Sequence, residues 1–207
     1  MSKKTKPNTI QYLCIHDGQQ ERMYFEHLAK LLRNNGHAIT FTYKLNKGNI
    51  PRKISAIKYE KVFVFDHDGE MGKFKKTLEI CIEFGYTNAY SNRNFDLWLL
   101  LHKKHFANAV SSNDDYMPHV RKAFDLSKTD DIKKGEIVTR ILEKISLDDI
   151  KTALHNANRI RDGKLKSDTN KVGAICFYSN PDLSIHSFIK NIFKECGEPT
   201  ENTYREN

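Results

Sequence analysis

Long apolar runs are the first thing missing. Nothing in the 207 residues approaches the roughly 20 consecutive apolar positions that a membrane-spanning helix needs. The opening stretch Met1–Lys6 is too polar for a secretory signal peptide. These two absences predict a cytoplasmic protein with no membrane partner. Cysteine is also scarce: the four residues Cys14, Cys81, Cys176 and Cys196 are widely spaced, with no C-x-x-C pair and no His at zinc spacing. That pattern excludes a disulfide scaffold and a structural zinc site, and predicts free, largely buried thiols. Repeats and low-complexity tracts are absent, which excludes solenoids, while Gly197–Asn207 reads as a polar, frayed tail. Acidic charge is the minority sign, 26 Asp and Glu against 34 Lys and Arg, for a net +8 and a pI near 9.2. Polyanions are therefore natural partners. The basic residues come in scattered pairs such as Lys73-Lys75-Lys76, Lys103-Lys104, Arg121-Lys122 and Lys133-Lys134, which read as solvated surface unless several converge on one site.

What is present begins with Val62–Glu70, V-F-V-F-D-H-D-G-E, an apolar run that ends abruptly in two carboxylates and a glycine. Four apolar residues without alternation suit a central strand covered on both faces. Asp66 and Asp68 then emerge at its carboxyl end, where open α/β sheets bind ligands. Carboxylates this close repel unless a cation sits between them, so the turn reads either as a divalent-metal site or as an ordinary Asp-Gly strand ending.

The rest of the chain supplies the frame. Ile10–Ile15 reads as a first strand ending in His16-Asp17-Gly18, followed by a helix from Glu21 to Asn35 with Tyr24, Leu28, Leu31 and Leu32 on one face. Asp17-x-x-Gln20 also resembles a capping box, so capping and metal binding both stand for Asp17. Ile39–Leu45 is a second strand and Ile50–Tyr59 a short basic helix. Glu70–Phe84 is a helix bearing Met71, Phe74, Leu78, Cys81 and Ile82, closed by Gly85; Thr87–Tyr90 is a further strand. This β-α-β-α-β-α-β order predicts an α/β, Rossmann-like, mainly parallel sheet flanked by helices, one domain with an appended subdomain. From Ser91 to His102 a polar loop becomes an intensely apolar helix. Asp96 in its first turn either serves the helix dipole or joins Ser91 and Asn92 beside the acidic strand tips. His102 reads as a surface or core histidine rather than a ligand. A helical insertion follows, with Ile137, Ile141, Leu142 and Ile145 on one helix and Ile150, Ala153, Leu154 and Ala157 on the next. Arg159–Lys166 reads as a basic loop, Val172–Tyr178 as a last strand, and Leu183–Cys196 as a final helix. The expected organisation is a core over 1–106, a helical insertion and basic loop over 107–166, and a strand and helix completing the core over 167–207.

Three motifs together resemble the RloB-like family of the Toprim fold, related to the OLD-type nucleases. Cys14-Ile15-His16-Asp17-Gly18-Gln19-Gln20-Glu21-Arg22-Met23-Tyr24-Phe25 resembles the family's C-E-G-x-x-T-E-x-x-Y-F. Phe65-Asp66-His67-Asp68 resembles its D-x-D motif, and Ser91 through His102 is similar to S-N-P-x-F-E-L-W-L-L-L-H. The likeness covers about the first half of the chain, with Ser179-Asn180-Pro181 a weaker echo of the family's ending. The departures are Asp17 for Glu, a different spacing from Cys14 to that acid, Gln20 for Thr, Arg93 for Pro and Asp96 for Glu. The resemblance implies that Asp17, Glu21, Asp66 and Asp68 bind one or two Mg2+ or Mn2+ ions, with Asp96 among the catalytic residues and Ser91 and Asn92 supporting them. It further implies phosphodiester hydrolysis of DNA or RNA in an antiphage defence system beside an ATPase partner. A homo-oligomer is compatible with it. Lys164 and Lys166 are candidates to steady developing negative charge, and Arg159, Arg161, Lys164 and Lys166 to bind nucleic acid. Two rivals stand against this. One is a catalytically weak Toprim-like module that binds nucleic acid or a partner ATPase. The other is a haloacid-dehalogenase-type phosphotransferase, disfavoured because Glu70 stands where its Thr is expected and because two strands precede Asp66.

Overall fold

The computed structural model describes residues 9–46, 59–91 and 93–201. Four strands form one parallel sheet: β1 (Ile10–His16), β2 (Ile39–Leu45), β3 (Glu60–Asp66) and β4 (Thr87–Ser91), in the order β2-β1-β3-β4. β1 and β3 are neighbours, with Cys14 opposite Val62 and His16 opposite Val64, as their shared pattern of apolar run then acid predicts. On the other side of β3, Asp66 lies opposite Ser91.

Both sheet faces are covered over the central strands, which is why β1 and β3 carry apolar runs, whereas the edge strand β2 alternates, with Thr40 and Thr42 exposed. Tyr12, Cys14, Val62, Val64 and Ala89 point to one face. There they pack with α1 (Gln19–Asn34), α3 (Asp96–Leu101), α4 (Met117–Ala123), α5 (Gly135–Glu143), α6 (Leu147–Asp162) and α7 (Ile185–Cys196). Leu13, Ile15, Phe63, Phe65 and Tyr90 point to the other, against Phe74, Leu78 and Cys81 of α2 (Met71–Phe84). Gly85, at φ 63°, closes α2 in the left-handed region that glycine enters without strain.

Several expectations change. Val172–Tyr178 is not one strand: Gly173, at φ 53°, turns it into an antiparallel hairpin of β5 (Asn170–Val172) and β6 (Ile175–Phe177), separate from the main sheet. The core sheet instead gains a single antiparallel bridge, Ser91 to Leu183. Arg159 and Arg161 lie in the last turn of α6 rather than in a loop, since the apolar face of that helix continues to Ile160. Met71 and Ile82 are exposed, so α2 buries a narrower stripe than its spacing suggests. Of the cysteines, Cys14 and Cys81 are buried, Cys176 is exposed and Cys196 is half-buried. The helix expected over Ile50–Tyr59 lies outside the described residues except for Tyr59, which is not helical. No helix among the described residues is long and apolar enough to cross a membrane.

Candidate active site

The strand order reverses between β1 and β3: the chain leaves β1 toward β2 on one side and passes from β3 to β4 on the other. An open α/β sheet parts its loops at such a point, making a crevice at the carboxyl ends. Asp17 follows β1 there and Asp66 ends β3. α1 starts just after Asp17 and carries Glu21 in its first turn. Asp68 and Asp96 come from the loop after β3 and the start of α3.

Local backbone geometry serves these placements. Gly18 precedes α1, and a Cβ there would sit 2.6 Å from Glu21 Oε2, so a larger residue would push the Glu21 carboxylate aside. The Glu21 carboxylate therefore folds back over the start of its own helix. The capping reading of Asp17 is corrected, since Gly18 occupies the N-cap and no side chain caps that end. Asp17 instead accepts a hydrogen bond from Asn46 Nδ2 at 2.7 Å. Asp68 has φ 51° and its amide donates to Arg93 O at 3.1 Å. The His67 amide donates to Ser91 O at 3.1 Å, so the D-x-D turn is pinned to the end of β4. Gly69, at φ 77°, lies against the Arg93 guanidinium, which any side chain at that position would strike.

The five acids repel one another. Burial raises the pKa of Asp17, with Asp68 adding repulsion. Burial raises Glu21 as well, and Asp17 and Asp96 push the same way. Asp66 is held well above the usual carboxylate range by burial and then by Glu21 and Asp68. Asp96 is raised by burial, which the Lys133 ammonium partly offsets. Glu21 Oε2, Asp96 Oδ2 and Ser91 Oγ are all buried without a hydrogen-bond partner.

A divalent cation suits this donor set: hard carboxylate oxygens, mutual repulsion and orphaned buried oxygens at one crevice. The ligand-free arrangement is not itself a coordination shell. Among the described residues no three acid, His or Cys side chains are set to hold an ion. Internal groups engage the acids instead. Asp68 accepts from Asn113 Nδ2 at 3.2 Å and lies 4.0 Å from Lys73 Nζ. Asp96, fully buried, pairs with Lys133 Nζ at 3.0 Å, and the same ammonium reaches Gln20 Oε1 at 3.4 Å.

Lys133 is the functional candidate that pattern reading missed. It sits in the helical insertion, anchored where Gln20 Nε2 donates to Ile132 O at 3.2 Å, and it looks like half of an ordinary surface Lys-Lys pair. The basic residues expected to serve the site are engaged elsewhere or lie outside these contacts. Arg161 pairs with Asp182 at 3.5 Å and its guanidinium donates to Leu183 O and Cys176 O. Lys164 Nζ donates to Ser179 O at 2.9 Å. Arg159 lies near His105, and Lys166 begins an exposed turn. Asn92 lies outside the described residues. His102 is a core residue: its Nδ1 bonds Trp98 O at 2.9 Å and its Nε2 meets Tyr24 Oη at 3.1 Å.

No curated protein and no solved structure matches the chain. The family described as RloB-like protein matches residues 12–192, carrying the likeness beyond the three early motifs, through the helical insertion and Ser179-Asn180-Pro181 into α7. The acidic crevice and nearly all of the frame that builds it fall inside that match, and the chain belongs to the RloB-like family.

Proposed function

We propose that this protein is a metal-dependent nuclease of the Toprim type, hydrolysing phosphodiester bonds of DNA or RNA in antiphage defence. The observation that carries the reading is the convergence of Asp17, Glu21, Asp66, Asp68 and Asp96 at the switch point, with Asp66 raised well above the usual carboxylate range by burial and then by Glu21 and Asp68, and Glu21 Oε2 left without a hydrogen-bond partner. Such a charge arrangement costs the folded protein stability unless a cation joins it. Asp17, Glu21, Asp66 and Asp68 would hold Mg2+ or Mn2+, and the ion supplies Lewis-acid polarisation of a phosphoryl oxygen when bound.

The remaining roles fall to side chains of the chain itself. Lys133, held by Asp96 and Gln20, has a side chain half open to solvent, and its ammonium can meet a phosphate oxygen and steady charge as it develops. Asp96 is then a positioning residue for Lys133 through Oδ1, while its buried Oδ2 stays without a hydrogen-bond partner. Lys73 and Arg93 border the same acids and add positive charge for a polyanion. The overall +8 charge favours the encounter.

A second reading is a catalytically weak module that binds nucleic acid or a partner ATPase. It is favoured by the way Asn46, Asn113 and Lys133 already satisfy part of the acidic set. The deciding experiment follows labelled DNA and RNA with Mn2+, Mg2+ or EDTA, for the parent and for Asp66→Asn/Asp68→Asn. Cleavage that needs the ion and both acids supports the nuclease. Binding without cleavage under every metal condition moves the assignment to the module.

A further inference from the structure

Beside the acidic crevice lies a cavity of about 610 Å³, whose lining includes His16, Asp17, Arg22, Met23, Tyr43 and Leu45. Its volume falls in the ~300–1,000 Å³ range of small-ligand sites. It opens between the first turns of α1 and the carboxyl end of the edge strand β2. Asp17 belongs both to this cavity and to the acidic cluster, so a molecule placed in one abuts the other.

The lining suits one flat, heteroaromatic group. Tyr43 packs against Phe41, with centroids 6.2 Å apart and planes 18° apart, and the Arg22 guanidinium, paired with Glu26 at 2.8 Å, lies over the Tyr43 ring 5.7 Å from its centre, so an entering base stacks on that guanidinium or displaces it from the ring. Aromatic rings and guanidinium planes are the two surfaces on which unstacked bases rest. Met23 and Leu45 add apolar walls, and Leu45 is 47% exposed at the mouth. His16 commits Nδ1 to Gly18 O at 2.7 Å; that bond to a carbonyl fixes the proton on Nδ1 and leaves Nε2 an acceptor for a ring or exocyclic amine.

We infer that this cavity is a base-binding subsite: it takes one unstacked base of a single-stranded nucleic acid whose adjoining phosphate lies at the acidic cluster. This rests on the nuclease reading for the meaning of the cluster, but on the cavity's own geometry for the ligand. A base inside a duplex cannot enter unless it is flipped out, so the subsite selects single strands, ends or unpaired bases.

The test places 2-aminopurine at successive positions of a short single strand and measures its fluorescence and affinity in EDTA, where no turnover occurs. The parent protein is expected to quench the probe at one position. Tyr43→Phe keeps the quenching. Tyr43→Leu loses it and weakens binding roughly 5- to 150-fold, the span of one base-aromatic stack. Leu45→Asp, at an exposed position that leaves the fold intact, is expected to weaken binding and abolish the quenching as well, so a Tyr43→Leu protein that fails to fold does not end the test. Strand binding with no position quenched, or quenching that survives Leu45→Asp and Tyr43→Leu, overturns the subsite. A free nucleoside monophosphate that binds as tightly as the strand overturns it too. Cleavage assays separate the two readings: quenching without cleavage in Mn2+ leaves the subsite standing and removes the nuclease, whereas cleavage without quenching does the reverse.

Discussion

Two buried ionic clusters occupy this molecule, and their charge balances differ. Behind β4, Asp182 is fully buried, yet it accepts from Tyr90 Oη and from the Tyr178 amide and lies 3.5 Å from Arg161 Nε. One carboxylate there faces one guanidinium. At the tips of β1 and β3, five carboxylates share Lys133 and the more distant Lys73, and two buried carboxylate oxygens go without hydrogen-bond partners, whereas in the first cluster the one such oxygen, Asp182 Oδ1, still faces the Arg161 guanidinium. The first arrangement is what a fold builds to join α6, the segment before α7 and the sheet. The second costs stability in the isolated chain, a cost that the proposed cation would offset.

The comparison breaks most visibly at Arg161. Arg161→Leu leaves Asp182 buried without a counter-charge, and the expected loss is about 3–5 kcal/mol in denaturant unfolding. A loss under about 1 kcal/mol would show that Tyr90 and the Tyr178 amide suffice and that the cluster is not ionic in origin. The acidic tip responds in the opposite direction. Asp66→Asn removes a repelled carboxylate, so in EDTA it should raise stability by about 1 kcal/mol, or ~2–4 °C in Tm. It should also abolish the Mn2+-induced rise in Tm seen in the parent and cut cleavage by about 10²-fold or more. An unchanged Mn2+ shift in this variant would put the ion elsewhere.

Why the second cluster was legible in the sequence and the first was not is a matter of range. An apolar run ending in Asp-Gly announces a strand tip, and two such runs in a βαβ pattern announce parallel neighbours, so Asp17 and Asp66 could be placed together from local pattern alone. Tyr24, Leu28 and Leu32 likewise betrayed the buried face of α1 by spacing. Lys133 meets Asp96 across 37 residues and Gln20 across 113, and nothing in a Lys-Lys pair distinguishes an ammonium on a buried acid from one in water. Arg161 misled in the same way: its neighbours in sequence are basic, whereas its partner Asp182 arrives from beyond a hairpin. The hairpin itself was hidden because Gly173 in an apolar run reads as a weak strand residue rather than as a turn at positive φ.

Acid titration sharpens the contrast. His186 is buried beside Arg161, and burial followed by that positive charge lowers its pKa to about 3. Lys190 repels its charged form as well, while the Leu183 backbone favours it. Its folded value lies below the unfolded one, so its contribution is complete above about pH 6.5 and is lost as the unfolded chain takes up a proton at lower pH. Between pH 7 and 4.5 the loss from this one group is on the order of 2 kcal/mol. The raised carboxylates at the acidic tip act with the other sign: their penalty is present at neutral pH and relieved as pH falls. His186→Gln should therefore flatten the fall in stability on acidification, or reverse it, in EDTA. If the pH dependence of the variant overlays that of the parent, His186 is not the group that titrates.

The smallest expected effect concerns the reach of a single carboxylate in the less balanced cluster. On the resemblance drawn from the first motif, Asp17 stands where a Glu is expected, which would withdraw its oxygens from the crevice by about one C–C bond, ~1.5 Å. In this chain the shortened arm rests on Asn46 Nδ2 at 2.7 Å. Mg2+ holds its ligands near 2.0–2.1 Å in a strict octahedron and tolerates such a withdrawal poorly; a larger ion with looser coordination tolerates it better. The parent should then cleave better with Mn2+ than with Mg2+, and Asp17→Glu should raise Mg2+-supported cleavage three- to tenfold while changing Mn2+-supported cleavage less. The gain should grow in Asp17→Glu/Asn46→Ala, because the longer arm no longer competes with its internal hydrogen bond. Equal or lower activity of Asp17→Glu with Mg2+ would show that the Gly18 turn, closed against Glu21 Oε2, is already shaped around aspartate.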